Sequence, residues 1–158
     1  MNHKRRLVLI LFMGLILPAR AAVQTATADR FPLTIEVEDF WLRGGKVIND
    51  RDAGNGKAVL SLNFDFNARI VVAFKEAGRY QLTLYEKAEN GSSDSIHIKI
   101  DNDPDVRTYP DADGYGVCAP CRRTAPINLK APGEVTINLF TTNEYGACYD
   151  KVVIDKLE

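Results

Sequence analysis

The sequence holds little from which to build a catalytic site. There is no His-Glu-x-x-His, no Gly-x-Ser-x-Gly and no phosphate-binding loop, so the common metalloprotease, serine hydrolase and nucleotide-hydrolase plans are missing. Histidine is limited to His3 and His97, and tryptophan to Trp41. Neither charge sign dominates, with 20 Lys and Arg against 21 Asp and Glu. A nucleic-acid partner calls for a basic excess and is set aside. No amphipathic helical stripe, internal repeat or low-complexity tract interrupts the chain.

Long apolar runs are equally scarce. The one clear case is Leu7 to Leu17, eleven residues that follow Lys4, Arg5 and Arg6 and precede Ala19-Arg20-Ala21. That order is the layout of a secretory signal peptide over residues 1–21, with the mature chain starting at Ala22. The run is short of the roughly 20 residues that span a bilayer, and no second run offers a membrane segment after cleavage. The expected location is extracytoplasmic, either periplasmic or extracellular. Removal of 21 residues leaves 137 of the 158, enough for one domain with a real core. Four of the basic residues leave with the signal, which takes the net charge to −5.

Three cysteines remain, Cys118, Cys121 and Cys148. Disulfides persist along the export route, and an odd count leaves one thiol over or pairs it between chains. Cys118-Ala119-Pro120-Cys121 is a C-x-x-C, but it sits in a Gly- and Pro-rich stretch with no helix behind it, which weakens a redox reading. A structural zinc would need a fourth clustered ligand, and His97 is the sole histidine of the mature chain.

What the sequence does have is period-two alternation. Leu33, Ile35 and Val37 alternate with Thr34, Glu36 and Glu38, which predicts a half-buried strand over Leu33–Phe40. Ala58–Asn63, Ala68–Phe74, the run around Tyr80, Leu82 and Leu84, the run Ile96–Ile100, the run Val135–Leu139 and the closing Tyr149–Leu157 behave alike. Turn signals separate them, among them Gly44-Gly45, Gly54-Asn55-Gly56 and Asn90-Gly91-Ser92. About eight strands at short spacing predict an all-β antiparallel sandwich or jelly roll over residues 33–158. Residues 22–32 show no periodicity and read as a short lead-in. Asp101–Arg123 is the irregular stretch. Its Asp101-x-Asp103-x-Asp105 is no EF-hand, because Val106 stands where the loop needs Gly and Ala112 where it needs Glu. A solvated acidic loop is the expectation there.

Several of these runs resemble one family. Ile35-Glu36-Val37-Glu38-Asp39-Phe40 followed by Gly44-Gly45 looks like the opening strand and loop of family 6 and family 35 carbohydrate-binding modules. Ala77-Gly78-Arg79-Tyr80-Gln81-Leu82 is similar to their central strand, Ala131-Pro132-Gly133-Glu134-Val135-Thr136-Ile137 to a late one, and Tyr149-Asp150-Lys151-Val152-Val153-Ile154 to the closing one. The resemblance implies a galactose-binding-like jelly roll with a structural Ca²⁺ held by Glu36, Glu38 and Asp150. Elementary electrostatics is compatible: two acids on one strand face repel unless a cation lies near, although Glu36 and Glu38 also suit the wet face of an edge strand.

The resemblance also implies a polysaccharide or glycan partner, bound where loops meet near the closing Asp. Trp41, Tyr109, Tyr115 and Tyr145 are the aromatic candidates. Two departures stand out: no Trp occurs between residues 105 and 125, and Cys148 takes the place near Asp150 where Asn would be expected. In that family's frame the loop of Cys118 and Cys121 converges with the turn of Cys148. The expectation is therefore a disulfide from Cys148 to Cys118 or Cys121, stabilising by about 3–4 kcal/mol in the chain-entropy model. Two functions compete: a secreted non-catalytic carbohydrate-binding module, and a jelly-roll module for a protein partner or for structure, with the sugar site lost. An acid pair alone could serve glycoside hydrolysis, but Glu36 and Glu38 come with no recognisable cleft. Asn90-Gly91-Ser92 is an N-glycosylation sequon.

Overall fold

The computed structural model describes residues 24–88, 90–101, 106–109 and 119–157, with the backbone alone at 106–109 and 119–122. The signal peptide predicted over residues 1–21 therefore lies outside the described residues, as do Cys118, Tyr115 and the Asp103–Asp105 part of the acidic loop.

Two sheets face each other. The first runs β1 (Thr25–Ala28), β6 (Asn67–Phe74), β11 (Gly133–Phe140), β8 (Ile96–Ile100), β9 (Val106–Tyr109), with β3 (Trp41–Arg43) also on β6. The second runs β10 (Ala119–Leu129), β7 (Gly78–Lys87), β12 (Cys148–Leu157), β5 (Lys57–Ser61), β4 (Gly45–Asn49), with β2 (Leu33–Glu36) also on β12. Every pairing among the described residues is antiparallel except β1 with β6. The predicted antiparallel sandwich is the observed architecture.

Alternation explains the core. Ala68, Ile70, Val72 and Phe74 of β6, Tyr80, Leu82 and Leu84 of β7, and Val135, Ile137 and Leu139 of β11 all turn inward and are buried. Full burial of each large aliphatic side chain is worth roughly 1.5–3 kcal/mol. The same parity carries two charged residues into the interior. Glu86 is the next inward position of β7, and Arg123 precedes the inward Ala125 and Ile127 of β10.

Four features differ from the sequence expectation. Thr25–Ala28, inside the lead-in, forms β1 and completes an edge beside β6. Asp101–Arg123 is not one loop, because β9 and the start of β10 lie within it. The strand expected over Leu33–Phe40 stops at Glu36, and Val37–Asp39 makes one 3₁₀ turn closed by Phe40 N–H donating to Val37 O at 3.0 Å. That turn buries Val37 and Phe40 three residues apart, a 3₁₀ spacing rather than a strand spacing. Finally, the β12–β7 register shifts between Tyr149 and Lys151, and this bulge interrupts the alternation expected of the closing strand, with Cys148, Tyr149 and Asp150 buried in succession.

Gly44 and Gly45 let the β3–β4 turn pass close to the core. Gly44 has φ +65° and a Cβ there would meet Phe66 N at 3.0 Å, while one at Gly45 would meet the Phe66 ring at 2.9 Å.

Candidate functional site

Three loops gather at one end of the sandwich: 62–66 between β5 and β6, 88–95 between β7 and β8, and 141–147 between β11 and β12. They are tied to each other by hydrogen bonds. Gly146 N–H donates to Ser61 O at 3.0 Å, and Thr141 N–H donates to Phe66 O at 3.3 Å. The 88–95 and 141–147 loops are joined through Glu144, whose Oε2 accepts from Asp94 N–H at 3.1 Å and Ser95 N–H at 2.9 Å.

Between these loops lies a groove of about 360 Å³, lined by Phe64, Asn90, Ser92, Asn143, Glu144 and Tyr145 among others. Phe64 and Tyr145 are 54% and 48% exposed, and their rings meet edge to face with centroids 5.0 Å apart. Two large rings left in water at one spot need a reason that core packing does not give. Amides, hydroxyls and a carboxylate surround them. An apolar ring face beside convergent hydrogen-bonding groups matches the two surfaces of a pyranose, one of C–H groups and one of hydroxyls.

Of the four predicted aromatic residues, Tyr145 stands in this groove. Trp41 is half-buried on β3, opposite Arg69 of β6, and does not line it. Tyr109 ends β9 opposite Ile96, with its side chain outside the described atoms. Tyr115 lies outside the described residues. Sequence reasoning missed Phe64, Asn143 and Glu144. The signal for Phe64 was an aromatic flanked by Asn63 and Asp65 in a turn, a position with no core to enter.

The three predicted acids lie beside the second sheet. Asp150 is buried by the turn between β4 and β5, and Gly54 N–H donates to its two oxygens at 3.1 and 3.2 Å. Asn55 Nδ2 donates to Glu38 Oε1 at 2.7 Å. Glu36 Oε2 and Glu38 Oε2 are buried without a hydrogen-bond partner. Burial, the Asp150 carboxylate and the Glu38 carboxylate together push the Glu36 carboxyl above its ordinary value, against the pull of Lys151. Glu36 and Glu38 do not share one strand face, since Glu38 belongs to the 3₁₀ turn, yet the fold still brings Glu36 under the influence of both other acids. No three His, Cys, Asp or Glu side chains among the described residues form a ready-made metal cage. The unpaired oxygens are nonetheless the kind of hard donor that Ca²⁺ takes, alongside carbonyls and water.

Cys148 is buried against Ala53 and Ala58, with Ile48 and Leu60 beside them. It borders a second hollow of about 350 Å³ that also touches the Asp50–Lys87 ion pair. Its predicted disulfide partners, Cys118 and the Cys121 side chain, lie outside the described atoms.

Comparison with solved structures identifies the fold. A family 35 carbohydrate-binding module from Clostridium thermocellum aligns over 77% of this chain and 95% of its own, with TM-score 0.61 and 14% identity. The module CBM6cm-2 of Cellvibrio mixtus lichenase 5A, solved in complex with cellotriose, aligns over 80% of this chain and 98% of its own, with TM-score 0.59 and 20% identity. This is the carbohydrate-binding-module jelly roll. An exo-β-1,3-galactanase from Phanerochaete chrysosporium also aligns, at TM-score 0.62 and 21% identity over 77% of this chain. The chain spans 28% of that enzyme's length. The sequence matches no family profile and no curated protein. At these identities the likeness is one of fold, and the groove must speak for its own chemistry.

Proposed function

We propose that the chain is a secreted, non-catalytic carbohydrate-binding module that holds a glycan in the Phe64–Tyr145 groove and a structural Ca²⁺ beside Glu36, Glu38 and Asp150. The observation that carries the sugar-binding reading is the exposed aromatic pair set among Asn90, Asn143 and Glu144 at the loop end. The jelly-roll fold of carbohydrate-binding modules supports it. For the ion, the support is the two buried, unpartnered carboxylate oxygens and the Glu36 carboxyl, which burial first and then the Asp150 and Glu38 carboxylates raise. A bound divalent cation adds positive charge to that of the partly exposed Lys151.

Binding to a polysaccharide panel tests the function. The mature domain is expected to retain at least one polysaccharide, and Phe64→Ala and Tyr145→Ala are each expected to weaken retention about tenfold while the domain stays folded. Retention of none, or binding indifferent to both substitutions, overturns the groove assignment in favour of a protein-interaction or structural module.

A further inference from the structure

The groove carries one formal charge among its described lining residues, the carboxylate of Glu144. Phe64, Asn90, Ser92, Ser93, Asn143, Tyr145 and Gly146 supply none. Glu144 is half-buried and fixed. Its Oε2 is held by the Asp94 and Ser95 N–H groups, while no described residue donates to Oε1. Beneath the same loop, one guanidinium, Arg123, serves two buried carboxyl residues, Glu86 and Asp94; it contacts Glu86 Oε1 at 2.8 Å and donates to Asp94 O at 2.7 Å. That cation is engaged below the groove and is 2% exposed, so it offers no arm to a ligand.

We infer that Glu144 sets the ligand class of the groove, admitting uncharged sugar units and rejecting uronate-bearing ones. The inference rests on the sugar-binding reading above and narrows it. A fixed carboxylate with one open oxygen accepts hydrogen bonds from sugar hydroxyls, which are donors as well as acceptors. A uronate brings a second carboxylate, which is acceptor-only, into a site with no described cation to meet it. Like charges brought together in a partly desolvated groove are repelled, and the repulsion is screened by salt. Specificity here comes from the repulsive element as much as from the attractive one.

The test uses matched ligands and the full mature chain. Polygalacturonate and its carboxyl-reduced form share a backbone and differ in charge, as do glucuronoxylan and its reduced form. Affinity for each member of each pair is measured by calorimetry or retardation in low and high salt. The neutral member is expected to bind at least tenfold more tightly at low salt, with the gap narrowing at high salt. Glu144→Gln keeps an oxygen for the Asp94 and Ser95 amides and removes the charge, so the neutral-to-uronate ratio is expected to fall to about threefold or less. The readout is this ratio, so a general loss of affinity does not mask it. Equal or tighter uronate binding by the parent protein overturns the inference while leaving sugar binding intact, and so does an unchanged ratio in a folded Glu144→Gln variant. Binding of neither member in any pair, together with an empty polysaccharide panel, overturns both readings.

Discussion

Two regions of this molecule bury carboxylates, and they treat them differently. At the loop end, Glu86 and Asp94 are wholly buried, and Arg123 comes from the neighbouring strand to meet the first as an ion pair and the second at its backbone carbonyl. Beside the second sheet, Glu36, Glu38 and Asp150 draw together with no guanidinium among the described residues; an amide, a backbone N–H and the partly exposed Lys151 are the described help. The first cluster has a cation of the chain's own, Arg123, paired with Glu86. The second leaves Glu36 Oε2 and Glu38 Oε2 buried and unpartnered. Burying a charge without a partner is costly, so the contrast separates an internal strut from the proposed cation site.

Breaking the strut should give the largest effect. Arg123→Ala removes the guanidinium paired with the buried Glu86, and breaking a buried pair from one side costs about 3–5 kcal/mol. Denaturant melts should show that loss. The double variant Glu86→Leu/Arg123→Met should recover most of it, since an apolar pair can replace a buried ion pair at little cost. It should not recover ligand binding, because the donor to Asp94 O is gone and the loop that Glu144 grips loses its anchor. Full recovery of both properties would show that the pair has no bearing on the groove.

Removing the proposed cation is next in size. A ligand that binds only the folded state stabilises it by about 2.7 kcal/mol at a hundredfold excess over Kd. Chelation with EDTA should therefore lower the melting temperature by several degrees, and added Ca²⁺ should restore it. Asp150→Ala should abolish the response whatever its own effect on stability. A melting curve indifferent to EDTA would show that the second cluster holds no cation.

How far these two clusters could be read from sequence differs for a physical reason. The core strands were legible because one side of each is buried and side chains alternate with period two; Tyr80, Leu82 and Leu84 announce β7. Glu86 continues that parity, but a charge at an inward position is recognisable only once Arg123, 37 positions away, is known to face it. The acids of the second cluster were legible as types and order through the family resemblance, while their placement was not. The 3₁₀ turn at Val37–Asp39 and the bulge at Asp150 are local departures from alternation, and alternation was the instrument used to read them. The groove was least legible. Phe64, Asn143 and Glu144 sit in loops, where tertiary ties such as Gly146 N–H to Ser61 O decide what faces what.

The smallest expected effect is also the sharpest test of the contrast, because its sign should invert. In the metal-free protein the Glu36 carboxyl is held above its ordinary value, first by burial and then by Asp150 and Glu38. A carboxyl raised on folding contributes stability that is fully present below its unfolded value, near 4.5. That contribution is lost as pH rises through the folded value. Other groups run the opposite way: burial tends to raise Asp50, but its bond to Lys87 holds it low, so stability from that pair is lost as pH falls. The Glu36 contribution is therefore isolated as a difference between Glu36→Gln and the parent. In EDTA, the variant should match the parent near pH 4 and become the more stable of the two by pH 7, since the amide carries no charge for Asp150 to repel. With Ca²⁺ present the order at pH 7 should reverse, because a cation binds the ionised carboxylate and the variant offers a weaker ligand. Paired melts at pH 4, 5.5 and 7, with and without Ca²⁺, supply all the differences. If the variant is the less stable in EDTA as well, Glu36 is paired from within the chain, as Glu86 is, and the two regions are alike after all.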